Sequence, residues 1–193
     1  MTGVILCGGQ SARMGTDKGL LSLQDRTWAQ TAMEKMIGLA LPVVFSVNEQ
    51  QFNNYAAIFP VNQLIKDNPV LDTRGPLRGV LSIHLQYPAE DLFVLACDMP
   101  LMETAVLKQL QAQFEKHAAD AYVFTNDEAF EPLCAIYTAK GLSRILELQK
   151  NKQLLKHSMK YVLEQLHPVS IALTMDQKKY FRNFNAHAEL NGL

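Results

Sequence analysis

Val4, Ile5 and Leu6 form an apolar run without helical spacing that ends at Gly8-Gly9, so the pattern predicts a short buried strand leading into a turn. Similar runs at 43–47, 63–65, 92–96 and 121–124 predict four more strands. Trp28, Ala32, Met36 and Leu39 recur at helical intervals and mark a first helix that stops before Pro42. Residues 77–85 and 105–117 read as further helices, and the alternation of strand and helix predicts βα units on a mainly parallel sheet. Asn126 and Asp127, lying between Phe124 and the apolar run over 133–137, predict a tight hairpin and hence one antiparallel strand. Leu142, Ile145 and Leu146, and then Leu155, Met159, Val162 and Leu166, predict two amphipathic helices before a strand over 169–173. No repeat, low-complexity tract or long linker interrupts the series. The expected fold class is α/β, with one probe-worthy edge: the carboxyl ends of the strands, where ligands of open α/β sheets bind.

The first turn carries the densest chemistry. From Leu6 to Lys18 the chain reads Leu-Cys-Gly-Gly-Gln-Ser-Ala-Arg-Met-Gly-Thr-Asp-Lys. Adjacent glycines let the backbone approach an anion with several N–H groups, while Arg13 supplies a planar fork and Lys18 a compact point charge to phosphates. A Walker A loop is excluded because Asp17, not glycine, immediately precedes Lys18, and Gly19, not Ser or Thr, follows it. A dinucleotide fingerprint is excluded because Gly8 and Gly9 adjoin and the next glycine is Gly15. An ordinary βα turn with a solvated Arg and Lys is the competing reading.

Asp98 stands just past the 92–96 strand, before Met99-Pro100, and is the strongest metal candidate. Mg²⁺ takes hard oxygen ligands, typically one or two carboxylates together with substrate phosphates. Its competing role is a cap for the helix starting near Glu103. Asp67 follows the 63–65 strand, and its carboxylate could accept from both N1–H and the amine of guanine; Gly75 and Gly79 would leave room for base or ribose. A loop aspartate before an ordinary Gly-Pro turn fits the same residues. Asn48, Asn183 and Asn185 could bind base, ribose or phosphate, or fix loop backbone.

Composition narrows the partners. A formal net charge of −1 with 19% charged residues gives no global attraction to nucleic acid or an anionic membrane, so any anion site must be local. No apolar stretch approaches a membrane span and Met1 leads directly into the first strand, from which a cytoplasmic protein is expected. One domain is expected for 193 residues. Cys7, Cys97 and Cys134 match neither a disulfide framework nor zinc spacing and are expected as free, buried filler. The five histidines are scattered singly, without a metal-ligand pattern.

The whole string from Gly8 to Lys18 resembles the signature of nucleotidyltransferases that build activated sugars and cofactors. Its Gly-Gly-x-Ser-x-Arg-Met-Gly-x-Asp-Lys form resembles the molybdenum cofactor guanylyltransferases. Cys97-Asp98-Met99-Pro100, Gly75-Pro76-Leu77-Arg78-Gly79 and Pro132-Leu133-Cys134-Ala135-Ile136-Tyr137 are similar to further motifs of that family, so the likeness covers nearly the whole chain and is densest before Pro100. The resemblance implies a single-domain, Rossmann-like three-layer sandwich of the nucleotide-diphospho-sugar transferase type, with an NTP-binding half over about 1–100 and an acceptor-binding half over about 101–193. It implies transfer of GMP from GTP to molybdenum-bound molybdopterin, releasing pyrophosphate, with Mg²⁺ as cofactor. Arg13, Lys18 and Asp98 would be catalytic; Leu6, Cys7, Gly8, Gly9, Lys18, Asn48, Asp67, Gly75, Gly79 and Asp98 would bind GTP, and Asp98 the metal. Asn183 and Asn185 would lie beside that metal, although Ala186-His187 replaces the family's usual Thr-Pro. Lys150, Lys152 and Lys156 stand where relatives often carry arginines for the pterin phosphate, and a solvated helix face explains them equally well. Other molybdenum cofactor biosynthesis proteins and apo-molybdoenzymes are further implied partners. A CTP-dependent or sugar-phosphate nucleotidyltransferase is the rival enzyme reading, and an inactive nucleotide sensor or scaffold the rival of another class; Gly8-Gly9, where CTP-specific relatives tend to have Ala-Gly, favours GTP.

Overall fold

The computed structural model describes residues 1–8, 17–23, 25–182 and 184. The elements alternate in chain order: β1 (Thr2–Leu6), a small ribbon of β2 (Ser22–Leu23) and β3 (Arg26–Thr27), α1 (Trp28–Ile37), β4 (Val43–Val47), α2 (Phe52–Ala56), β5 (Leu64–Lys66) and α3 (Pro76–Gln86). Then follow β6 (Leu92–Ala96), α4 (Thr104–Lys116), β7 (Ala121–Asn126), β8 (Ala129–Tyr137), α5 (Ala139–Lys150), α6 (Met159–Glu164) and β9 (Pro168–Ala172). Seven strands make one sheet in the order β5-β4-β1-β6-β8-β7-β9. All run parallel except β8, which pairs antiparallel with both β6 and β7.

The period-two alternation of the strands sorts their side chains onto two faces. Ile5, Phe45, Phe93 and Leu95 pack with Ala32 and Met36 of α1 and Leu107 and Leu110 of α4. Val4, Leu6, Val44 and Val94 point the other way and pack with Leu77 and Leu81 of α3, Leu142 and Ile145 of α5, and Val162 of α6. The result is the expected three-layer α/β sandwich. Helix starts follow local chemistry: Thr27 and Gln30 form a reciprocal capping box on α1, and the Thr138 hydroxyl caps α5 by accepting from Gly141 N–H.

Three details differ from the sequence pattern. The hairpin turns on Asp127 and Glu128, not on Asn126 and Asp127: both have positive φ, 46° and 67°, and Asn126 already pairs with Ala129 in the ladder. A two-residue turn of this hand matches the twist of the flanking strands. Leu155 is not on a helix; it is 81% exposed in the loop between α5 and α6, and the neighbouring Leu154 takes the buried position. Helix α2 and the β2–β3 ribbon are additions that the apolar periodicity was too short to mark.

Candidate active site

Register brings the candidate residues together. Leu6 pairs with Ser46 on one side and Ala96 on the other, and Val47 pairs with Lys66, so Gly8, Asn48, Asp67 and Asp98 all emerge at the carboxyl edge of adjoining strands. The ladder continues past the strand ends through Cys7 N–H to Ser46 C=O (3.1 Å), Asp67 N–H to Val47 C=O (2.9 Å) and Cys97 N–H to Leu6 C=O (3.2 Å). These bonds hold the loop bases still, as a preorganised site requires.

Over β1 and β6 lies a charged pair. Lys18 Nζ stands 3.4 Å from Asp98 Oδ2, and Asp98 Oδ1 is buried with no hydrogen-bond partner among the described residues. Burial pushes the Asp98 carboxyl up, while Lys18 pulls it partly back. The helix-cap role for Asp98 does not apply: α4 starts at Thr104 after Glu103, and Asp98 makes no bond to it. The loop after Asp98 is instead tied down through its backbone, since the Asp98 carbonyl accepts from Phe184 N–H (3.1 Å) and the Pro100 carbonyl from Lys35 Nζ (2.7 Å). Burial lowers Lys35 to about 8, with Glu103 and Glu34 pulling the other way.

Lys18 opens a one-turn 3₁₀ helix whose cap is Asp17. Its Oδ1 accepts from Gly19 N–H (3.0 Å) and from the Tyr55 hydroxyl (3.0 Å), and its Oδ2 from Gln51 Nε2 (2.7 Å). Gln51 Nε2 also donates to the Cys7 carbonyl (2.9 Å), which locks the residues on both sides of the glycine-rich turn to α2. Asp17, Gln51 and Tyr55 were missed by reading the sequence. Asp17 stood inside the motif, but Gln51 and Tyr55 carry no local signal, because only the fold brings them to Asp17. Asn48 exchanges bonds with Gln51: its N–H donates to Gln51 Oε1 (3.0 Å) and its own Oδ1 accepts from Gln51 N–H (2.9 Å).

Over β1, β4 and β5 opens a cleft of about 590 Å³, lined by Leu6, Gly8, Ser46, Asn48, Asp67, Arg74, Gly75, Arg78 and Gly79 among others. Asp67 accepts from the Ser46 hydroxyl (3.5 Å), and burial pushes its carboxyl up against the opposing pull of Arg78 and Ser46. Both expected glycines, Gly75 and Gly79, line this cleft. A Cβ on Gly79 would lie 2.1 Å from Ser46 Oγ and 3.4 Å from Asp67 Oδ1, so this glycine also makes room for the neighbouring side chains that line the cleft. Gly75, just before α3, is required by its φ of 62°, and the space around it is open.

Gly9, Arg13, Asn183 and Asn185 lie outside the described residues. The lysines are not all on the expected helix pair: Lys150 ends α5, Lys152 has φ 57° in the loop beyond it, and Lys156 precedes α6 with its ammonium 5.7 Å from the Tyr161 ring. Because β8 runs antiparallel, α5 starts at the amino edge of the sheet and returns this exposed loop to the carboxyl edge. The three cysteines are buried and free. Hydrogen bonding with Cys7 and burial push the Cys97 thiol well above its ordinary range, and burial does the same to Cys134, which suits filler and not nucleophiles. Among the described residues no group of three or more His, Cys, Asp or Glu could hold a metal alone, and no helix is long and apolar enough to cross a membrane.

Comparison with known proteins gives the family and agrees with the fold. Residues 3–169 match the model of the MobA-like NTP transferase domain. The chain is 30% identical over 192 residues to a "probable molybdenum cofactor guanylyltransferase" of Methanothermobacter thermautotrophicus, covering 96% of this chain and 95% of the relative. It is 32% identical over 153 residues to the molybdenum cofactor guanylyltransferase of Campylobacter jejuni serotype O:6, covering 78% and 75%. Its fold superimposes with a TM-score of 0.76 on molybdopterin-guanine dinucleotide biosynthesis protein A from Archaeoglobus fulgidus, at 22% identity and covering 99% and 95% of the two chains. A nucleotide-sized cleft and a charged pair at the carboxyl edge of this sheet are thus set in a chain that belongs to the family of MobA-like NTP transferases.

Proposed function

We propose that the protein transfers the guanylyl group of GTP to the terminal phosphate of molybdenum-bound molybdopterin. An acceptor phosphate oxygen bonds to the α-phosphorus, the bond from that phosphorus to the bridging oxygen breaks, and pyrophosphate leaves. The observation that carries the reading is Asp98: a partly buried carboxylate with one oxygen on Lys18 and the other, itself buried, without a hydrogen-bond partner among the described residues, near a cleft that contains a second carboxylate. The acceptor phosphate is already an anionic nucleophile, so alignment and charge neutralisation suffice. Lys18, with Arg13, offsets charge on the departing pyrophosphate; Asp17, Gln51 and Tyr55 keep the Lys18 turn in place. Asp67 accepts from the guanine N1–H and amine, and Leu6, Cys7, Gly8, Gly9, Asn48, Gly75 and Gly79 line the nucleotide side.

Asp98 Oδ1, which has no hydrogen-bond partner among the described residues, is a hard oxygen donor that fits Mg²⁺, and the reading gives Asn183 and Asn185, outside the described residues, a role beside that metal. When bound, the ion would supply positive charge to phosphate oxygens. Residues from about 1 to 100 serve the nucleotide and those from about 101 to 193 the acceptor, with Lys150, Lys152 and Lys156 facing the pterin phosphate. Buried free thiols suit a reducing compartment, and the reading includes a cytoplasmic location. The test is pyrophosphate release from GTP, CTP and ATP, with and without molybdenum-loaded molybdopterin. Release that needs both GTP and the acceptor is expected; acceptor-independent release, or a preference for CTP, would overturn it.

A further inference from the structure

Arg78 is a cation for which the phosphate chemistry above has no use. It is the third residue of α3, in the first turn of an 11-residue helix, where the exposed amide N–H groups already concentrate positive charge. A guanidinium there is on the unfavourable end. Its Nε is buried and has no hydrogen-bond partner among the described residues, which is costly for a strong donor. The carboxylate that feels its charge is Asp67, yet among the described residues no ion pair within 4.0 Å joins the two. Both line the same cleft, and Gly75, which also lines it, has open space where a Cβ would stand. An acceptor-only group and a donor-only group therefore face one nucleotide-sized space without satisfying each other.

The pattern matches one base. Guanine presents two adjacent donors, N1–H and the exocyclic amine, and then two acceptors, O6 and N7; an arginine fork fits O6 and N7 in two parallel bonds. Adenine has an amine where guanine has O6 and lacks N1–H, so it would set donor against donor and acceptor against acceptor. Cytosine likewise offers an amine and an unprotonated ring nitrogen. We propose that Arg78 is a specificity-determining residue that donates to guanine O6 and N7 while Asp67 reads the donor edge of the same base. The inference rests on the guanine-nucleotide reading above and extends it to a residue outside the glycine-rich turn.

Base analogues test it atom by atom, by calorimetric titration of the full chain with Mg²⁺ present. GTP is compared with 7-deaza-GTP, which lacks only the N7 acceptor, and with ITP, which lacks only the amine. The wild type should bind GTP about tenfold tighter than 7-deaza-GTP, the scale of one charge-assisted hydrogen bond. Arg78→Met keeps the apolar stem and removes the fork; it should bind GTP and 7-deaza-GTP equally while retaining the preference for GTP over ITP. Equal binding of the two nucleotides by the wild type would overturn the proposal, and needs no variant to fold. So would an Arg78→Met protein that keeps the wild-type ratio, or one that loses the same factor for GTP, 7-deaza-GTP, ITP and inorganic triphosphate, since that places Arg78 on phosphate. Arg78→Lys, which keeps the charge without the fork, should show an intermediate ratio and covers the case in which the Met variant fails to fold. A wild type that prefers CTP to GTP would sink the guanine reading itself, whereas guanine preference unchanged by Arg78→Met sinks only the role of Arg78.

Discussion

Three aspartates stand just outside strands of the same sheet, and they are treated in opposite ways at its two edges. At the amino edge, Asp120 precedes β7 and is surrounded by donors. Its Oδ2 accepts from the His167 ring nitrogen Nδ1 (3.1 Å) and backbone N–H (3.4 Å), while Lys140 and Arg144 stand 3.8 Å away. Burial alone would raise this carboxyl, but the His167 bonds and the Lys140 charge outweigh it and hold Asp120 below the usual range. At the carboxyl edge, Asp67 and Asp98 are pushed the other way, because burial exceeds what Arg78, Ser46 and Lys18 return. A carboxylate whose partners come from the protein stabilises the fold; one whose partners are withheld keeps its capacity for a ligand.

The largest effects should come from the withheld edge. Asp98→Asn should lower turnover about a thousandfold, on the order of 4 kcal/mol, and Lys18→Ala about a hundredfold. Neither should lower the melting temperature appreciably. Because the folded Asp98 carboxyl is raised, its ionised form opposes folding, so Asp98→Asn should equal or exceed the wild type in stability at neutral pH and lose that advantage as pH falls through the raised value. A large drop in melting temperature would place Asp98 with Asp120 instead.

At the satisfied edge the reverse is expected. Asp120→Asn should cost about 1–3 kcal/mol of stability at pH 7 while leaving turnover per folded molecule unchanged. The folded carboxyl lies below its unfolded value of 3.8, so its contribution is present above that pH and fades as pH falls through the folded value. Urea unfolding of both proteins at pH 7 and pH 3 checks this; a gap between the two proteins that widens in acid would contradict it.

The lysine loop returned to the carboxyl edge should matter only to the acceptor. Converting Lys150, Lys152 and Lys156 to glutamine is expected to weaken molybdopterin binding by about 1–3 kcal/mol and to leave GTP affinity alone. Equal acceptor affinity would make this loop plain solvated surface and shift attention to Arg74. The smallest effect belongs to Lys35, which ties α1 to the Pro100 carbonyl. Between about 8 and 10.5 the unfolded chain holds more protons than the folded one, so stability should rise with pH there. The wild type should gain about 1 kcal/mol on Lys35→Met across that window in thermal melts, and parallel curves would show that Lys35 stays solvated.

The pattern of apolar residues was sufficient for the layers. Runs such as 43–47 and 92–96 have no helical period and are long enough for one strand only, and Trp28, Ala32 and Met36 can share one face only as a helix. Short or strained pieces were not legible: α2 is barely more than one turn, and a hairpin made by Asp127 and Glu128 lacks the glycine or asparagine that usually advertises positive φ. Candidate site residues within one motif, such as Lys18, or directly after a strongly apolar strand, such as Asp98, could be named from the chain because local chemistry sets them apart.

The sequence by itself determined the sandwich, the edge where charge collects and the identity of its carboxylates, since periodicity and strand ends are local properties. Only the tertiary structure decided what surrounds each group. Gln51 and Tyr55 reach Asp17 across 34 and 38 residues, Gly79 also makes room for Ser46, and Asp98 keeps an oxygen without a partner among the described residues. Hydrogen-bond satisfaction and burial depend on neighbours distant in the chain, and no local pattern encodes them.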